Sequence, residues 1–202
     1  TTNTNTPGGL NQDFMSVTWN CPDQSGTISL GSDFTRADTV LISNTGADGA
    51  VSLGASLTAT NTTVASGATL LCGPHVVYGG SFTLTSGARL GIGSPDGITT
   101  SGASGSIQTA TRNYGIDSCY FYNGAVAQVT GNGLPNEEVY CLASLNSEGV
   151  TLSESTSVRG ILVLGSGSLS IGANTLTVHN DIINEGGTLT GGANSSLVID
   201  NL

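Results

Sequence analysis

The stretch "GSLSIGAN" (Gly167–Asn174) is followed twenty positions later by "GTLTGGAN" (Gly187–Asn194). Around both phrases the residues alternate, as in Ser168-Leu169-Ser170-Ile171 and Thr175-Leu176-Thr177-Val178, with glycine or asparagine at the breaks. A period of two is the rhythm of a strand, and nothing here keeps the 3.6 rhythm of a helix. Other phrases keep the interval. "GATLLCG" (Gly67–Gly73) and "GARLGIG" (Gly87–Gly93) share Gly, Ala, Leu and Gly at a spacing of twenty, and "LTVHN" from Leu176 returns as "LVIDN" from Leu197 at twenty-one. The slack of one residue points to fixed strands joined by loops of variable length.

A period of twenty to fifty residues marks a solenoid or array, because one such unit cannot hide its apolar face alone. Stacked coil on coil about 4.8 Å apart, the Leu, Val and Ile residues form ladders inside a tube while Thr, Ser and Asn face out. The expected fold is therefore all-β, a right-handed parallel β-helix with coils of about twenty residues and a height of roughly 50 Å. Asn174 and Asn194 are expected to stack at a corner, where Asn tolerates left-handed backbone and can bond a neighbouring amide. The alternative is a β-sandwich, which also yields short strands and glycine-rich turns but does not require neighbouring units to repeat.

Composition agrees with an all-β chain. Charged residues are 9% of the 202, against about 25% in an ordinary domain. The net charge is −10, with four arginines and no lysine. Nucleic acid and anionic membrane surfaces both require cations that this chain lacks, so neither is an expected partner. The longest apolar run, "GILVLG" (Gly160–Gly165), is far too short to span a bilayer. The chain begins at Thr1 without a leader pattern and reads as a mature or excised piece. Four cysteines (Cys21, Cys72, Cys119, Cys141) with no CxxC spacing are expected to form two disulfides, with zinc the weaker alternative, and so to indicate an oxidising compartment.

Residues 1–40 fit the repeat poorly. They hold the only Trp and the only Met, and Phe14 and Trp19 are the expected apolar plug of a cap or junction, preceded by a linker, "TTNTNTPGG". Residues 41–202 form the expected repeat domain. "SSLVIDNL" stops on a strand pattern with no cap in view, so the expectation is that the chain continues or that another molecule completes the stack.

Between Gly91 and His179 a linked series of phrases appears: "GIGSPDGIT" (Gly91–Thr99), "GASGSIQ" (Gly102–Gln108), "YNGAVAQVTGNGLP" (Tyr122–Pro135), "NSEGVTLSESTSVRGILVLGSGSLS" (Asn146–Ser170) and "NTLTV" (Asn174–Val178). Together they resemble the repeat units of very large secreted surface proteins of Bacteroidetes, of the adhesin-like kind exported by a sorting system. The resemblance covers a little under half of the chain. It implies extracellular or cell-surface display, a β-helical or β-rich stalk and a role in adhesion or surface structure, and it implies no catalytic residues. The chain departs from that pattern at "DSCYFYNG" and "NEEVYCLASL", which introduce Cys119 and Cys141. Their separation of about one coil suggests a bridge between adjacent coils, worth on the order of 3 kcal/mol. Cys21 with Cys72 would then tie the cap to the early coils.

Residues for chemistry are sparse. The Asp residues are scattered and mostly lie beside Gly, Asn or Pro, as in turns. Of the carboxylates only Glu137 and Glu138 are adjacent, and strand neighbours point to opposite faces. A pair across coils, such as Asp181 with Asp200, is the remaining route to a hydrolase site. His75 and His179 lie some five coils apart and do not suggest a shared metal. No P-loop, HExxH, GxSxG or EF-hand pattern occurs. The expectation is a non-enzyme with no cofactor and no metal site. Tyr120 and Tyr122 share one strand face near Tyr114 and Phe121. If outward they could stack on a sugar, and if inward they fill the tube. "TLT" at Thr83–Thr85, Thr175–Thr177 and Thr188–Thr190 raises an ice-binding face, although the copies are irregularly spaced. The reading that ties these observations together is a structural module of an extracellular filament, stalk or adhesin, stacking end to end on neighbouring repeats or identical subunits. Its alternative is a carbohydrate-binding segment that contacts surface glycans.

Overall fold

The computed structural model describes residues 8–136 and 138–200. The expected linker lies mostly outside them, as does Glu137. Nineteen strands and no helix occur among the described residues. The first coil contributes β1 (Phe14–Asn20) and β2 (Thr27–Ser29), the second β3 (Arg36–Asn44) and β4 (Ala50–Ser52), and the third β5 (Leu57–Val64) and β6 (Thr69–Leu71). Then come β7 (Val77–Leu84) and β8 (Arg89–Ile92), followed by β9 (Ile107–Tyr114), β10 (Cys119–Tyr122) and β11 (Gln128–Val129). The later coils hold β12 (Glu138–Ser144), β13 (Val150–Thr151), β14 (Thr156–Leu164), β15 (Ser168–Ser170), β16 (Thr175–Val178), β17 (Asp181–Asn184), β18 (Thr188–Thr190) and β19 (Ser196–Ile199).

These strands stack as three parallel sheets in about nine turns. The first sheet runs β1-β3-β5-β7-β9. The second runs from β2 through β4, β6, β8, β10, β12, β14 and β16 to β19, with β17 also on β14, and the third runs β11-β13-β15-β18. The strand pairings are parallel throughout, so the fold is a parallel β-helix. An antiparallel sandwich is excluded.

The repeat phrases are the register of this stack. Leu169 pairs with Leu189, Leu70 with Leu90 and Leu176 with Leu197. The opening glycines lie at one corner: Thr188, next to Gly187, donates its amide to the Gly167 carbonyl at 2.9 Å. Gly167 has φ 60°, and a Cβ there would sit 2.2 Å from the Asn146 carbonyl oxygen of the preceding coil. Only glycine meets both demands, so the phrase begins with it.

Inside the tube, Val51, Leu70, Leu90, Tyr120, Leu142 and Leu162 follow one another in register and are all buried. Each such aliphatic side chain removed from water contributes about 1.5–3 kcal/mol. The coil length is not uniform: Leu90 pairs with Tyr120, thirty positions on. The excess is the excursion after β8, in which Ile98 donates to Thr130 and Gly133 donates to Ile98. That excursion thus occupies the third wall beneath β11.

Two expectations are corrected. The boundary at residue 40 falls inside β3, and β1 and β2 already pair with β3 and β4 as a first coil. The expected cap residues are therefore themselves a coil of the solenoid, with Leu10, Phe14, Val17 and Trp19 packed on the core. Asn174 and Asn194 do not form an amide ladder. The Asn174 amide donates to the Leu152 and Ile171 carbonyls, and no residue other than glycine has positive φ among the described residues. The side-chain amide ladder lies at the buried corner of Gln128 and Asn146, where Asn146 Nδ2 donates to Gln128 Oε1 at 3.0 Å and Gln128 Nε2 donates to the Ile92 and Ser94 carbonyls.

Candidate functional site

Tyr120 and Tyr122 both point into the tube and are 0% exposed. Their hydroxyls donate to the Gly115 and Thr130 carbonyls at 2.7 and 2.9 Å. Burial pushes both phenols above their ordinary range. The sugar-stacking reading of this pair is therefore corrected, and the reason is the register: Tyr120 continues the inward Leu70–Leu90 column. The ice-face reading fails by the same kind of evidence. Its three Thr-Leu-Thr copies begin in β7, β16 and β18, which belong to three different sheets.

All four cysteines are free thiols. Cys119 and Cys141 are nonetheless direct neighbours in register on β10 and β12. The Cys141 thiol donates to Cys119 and holds it below the usual thiol range; burial opposes this and the Arg89 guanidinium adds to it. Cys141 moves the other way, raised by the same hydrogen bond and by burial. The pair is thus placed for the expected bridge and unbridged. Cys21 and Cys72 are not: Cys21 follows β1 in the first coil and Cys72 follows β6 in the third. Two coils are about 9.6 Å of axial rise, beyond the Cα separation a disulfide tolerates. Cys72 is fully buried, and desolvation pushes its thiol up to about 12.

On the outer face of the second sheet, polar residues from five successive coils converge. Ser157 Oγ lies 2.9 Å from His179 Nε2, Glu138 Oε1 lies 3.8 Å from the same nitrogen, and Asp200 Oδ2 lies 3.9 Å from His179 Nδ1. Arg159 pairs with Asp117, lies 3.9 Å from Glu138 and covers the Tyr140 ring at 5.8 Å. The residue types are those of an acyl-transfer relay, but the geometry differs. Asp200 is too distant to hydrogen-bond the imidazole, and the buried Nδ1 has no partner. The amides of His179 and Asp200 are committed to the Val158 and Val178 carbonyls of the coil before, so they offer no oxyanion donors. As it stands, this cluster is a cross-coil polar ladder. The suggested carboxylate pair does not form: Asp181 pairs with Ile161, whereas Asp200 follows Ile199, the partner of Val178. His75 lies in the turn after Cys72. No group of three His, Cys, Asp or Glu among the described residues could hold a metal ion.

Two other surfaces are shaped for contact. The first is an open cleft of about 610 Å³ on the first sheet, lined by Arg36, Asp38, Thr58, Thr60, Tyr78 and the Gly79-Gly80 pair among others. The alternation of inward and outward side chains slips at Thr60-Asn61 and Gly80-Ser81, where both neighbours face outward, and pairing lapses in the same column. The strands therefore bend there. Gly79 has φ 121°, and a Cβ on it would lie 1.8 Å from the Ala59 oxygen. Glycine lets the backbone approach and leaves a bare floor beside Tyr78. Sequence reasoning passed over Tyr78, although two glycines inside a strand pattern were the available signal.

The second surface is the last coil. β18 and β19 have one neighbour each, β15 and β16. Leu197, Val198 and Ile199 are 44%, 41% and 57% exposed, and Ile182 and Ile183 are also open. No protein-family model, curated protein or solved structure matches the chain.

Proposed function

We propose that the protein is a rod-forming module of an extracellular filament, stalk or adhesin, extended coil on coil at the end that carries β19. The observation that carries this reading is the exposed apolar edge of the last coil. Leu197 and Ile199 sit in the register columns of Leu176 and Val178, which are 0% exposed one coil earlier. A further coil would bury the outer column in the same way and satisfy the free edge of β19. That coil is either a continuation of the same tube in a longer chain or the first coil of a second subunit; both lengthen one rod. The resemblance to secreted adhesin-like repeats supports placing the rod outside the cell. The scarcity of trypsin sites, four arginines and no lysine, suits an exposed stalk.

The test is electron microscopy of the purified chain across a concentration series. Stacking subunits give rods that lengthen in steps of roughly 43 Å, the height of nine coils at strand spacing. Particles that stay at one unit at every concentration, together with no fibre-forming longer chain, contradict the reading.

A further inference from the structure

The cleft on the first sheet has features that the rod role does not use. It does not stop at its widest part. Two smaller depressions share Arg36 with it and continue along Asp13, Met15 and Ser32 of the earlier coils. The groove thus runs parallel to the tube axis across four coils, about 14 Å at strand spacing. Its walls are hydroxyl-bearing (Thr35, Ser56, Thr58, Thr60) with one exposed aromatic ring, Tyr78 at 39%.

Two arguments narrow the occupant. A peptide strand is not suited, because β3, β5 and β7 are interior strands whose edges are already paired on both sides. A polyanion is not suited either: the chain carries −10, and the single cation in the groove, Arg36, is offset by Asp38 beside it and Asp13 at 3.8 Å. What remains is an uncharged ligand with hydroxyls to donate and accept and a flat apolar face to lay on a ring.

We propose that this groove binds a neutral oligosaccharide. A sugar face stacks on the Tyr78 ring over the bare Gly79-Gly80 floor. Asp38 accepts from its hydroxyls, Arg36 donates to its oxygens, and Thr58 and Thr60 do either. Binding here is a separate claim from the rod reading, since its core, Asp38, Thr58, Thr60 and Tyr78, lies on the lateral wall made by β3, β5 and β7.

The experiment is titration calorimetry of the intact chain against a panel of neutral linear oligosaccharides (gluco-, manno-, xylo- and galacto-configured), with a uronate oligomer alongside. Wild type is expected to bind at least one neutral member and not the uronate. Tyr78→Ala and Asp38→Ala each weaken that binding tenfold or more, Tyr78→Phe keeps it, and Tyr140→Ala, which removes an exposed ring on the other sheet, leaves it unchanged. Unaltered melting curves show that the variants are folded. Absence of binding across the neutral panel overturns the proposal, as does preference for the uronate or undiminished affinity in Tyr78→Ala.

Discussion

The two ends of the tube obey the same register and differ in what fills it. At the β1 end the columns finish on bulky residues: Phe14 lies against Phe34 with ring centroids 6.3 Å apart, and Trp19 donates its ring N–H to Gln24. Gln24 in turn bonds the Gly26 and Ala50 carbonyls. At the β19 end the columns finish on the same small alternating pattern that made the earlier coils, with Leu197 and Ile199 half open to solvent. Both ends leave strands with one neighbour, β1 and β2 at one and β18 and β19 at the other, and they differ in the side chains that cover the core. Where the repeat persists, the last coil presents what the coil before it presented, an apolar ladder and a free strand edge.

This contrast can be broken most completely at the open end. Leu197→Asp with Ile199→Asp places charge on the edge and should abolish end-to-end association, at least a hundredfold in sedimentation equilibrium, while leaving the monomer folded. The same pair of charges at Met15 and Thr18 of β1 tests whether that end is the opposing face. Next in size is burial. Phe34→Ala, at a side chain 1% exposed, should cost about 3–5 kcal/mol in urea unfolding. Leu197→Ala should cost under about 1 kcal/mol, because a half-exposed side chain has less apolar area to lose. Equal losses at the two positions would refute the difference between an end packed with aromatic rings and one left with half-exposed aliphatics.

Midway between the ends, oxidation should join Cys119 to Cys141 and stabilise by about 3 kcal/mol through loop entropy, seen as a reductant-sensitive rise in Tm that Cys141→Ser removes. A related labelling experiment sorts the thiols. Cys119, held low by the Cys141 hydrogen bond and Arg89, should alkylate at lower pH than Cys141. Cys72, raised to about 12 by burial, should react only on unfolding. The smallest effect belongs to the outer ladder: Asp117→Asn, which breaks a half-exposed pair with Arg159, should change stability by less than about 1 kcal/mol.

The coil stack was legible because identical inward residues recur where coils touch. The Leu70/Leu90 and Leu176/Leu197 pairs are read directly from spacing and are register pairs, and Gly167 and Gly187 directly precede the paired Ser168 and Thr188. Cys119 and Cys141 were placed as neighbours on the same logic. Alternation showed that Tyr120 and Tyr122 share a face without showing which face is inside; only the continuous column from Leu90 decides it. The excursion after β8 was hidden because its third-wall segment is held by backbone bonds such as Val129 to Pro95, which leave no side-chain pattern. The groove was hidden because it depends on a bend shared by several strands, and one strand's sequence shows only Tyr78-Gly79-Gly80.

The most direct test of coil-on-coil extension is X-ray diffraction from oriented fibres of the purified protein. Strands perpendicular to a common tube axis place the strand-spacing reflection, about 4.8 Å, on the meridian, and the account predicts it there. Fibres with that reflection on the equator would contradict it.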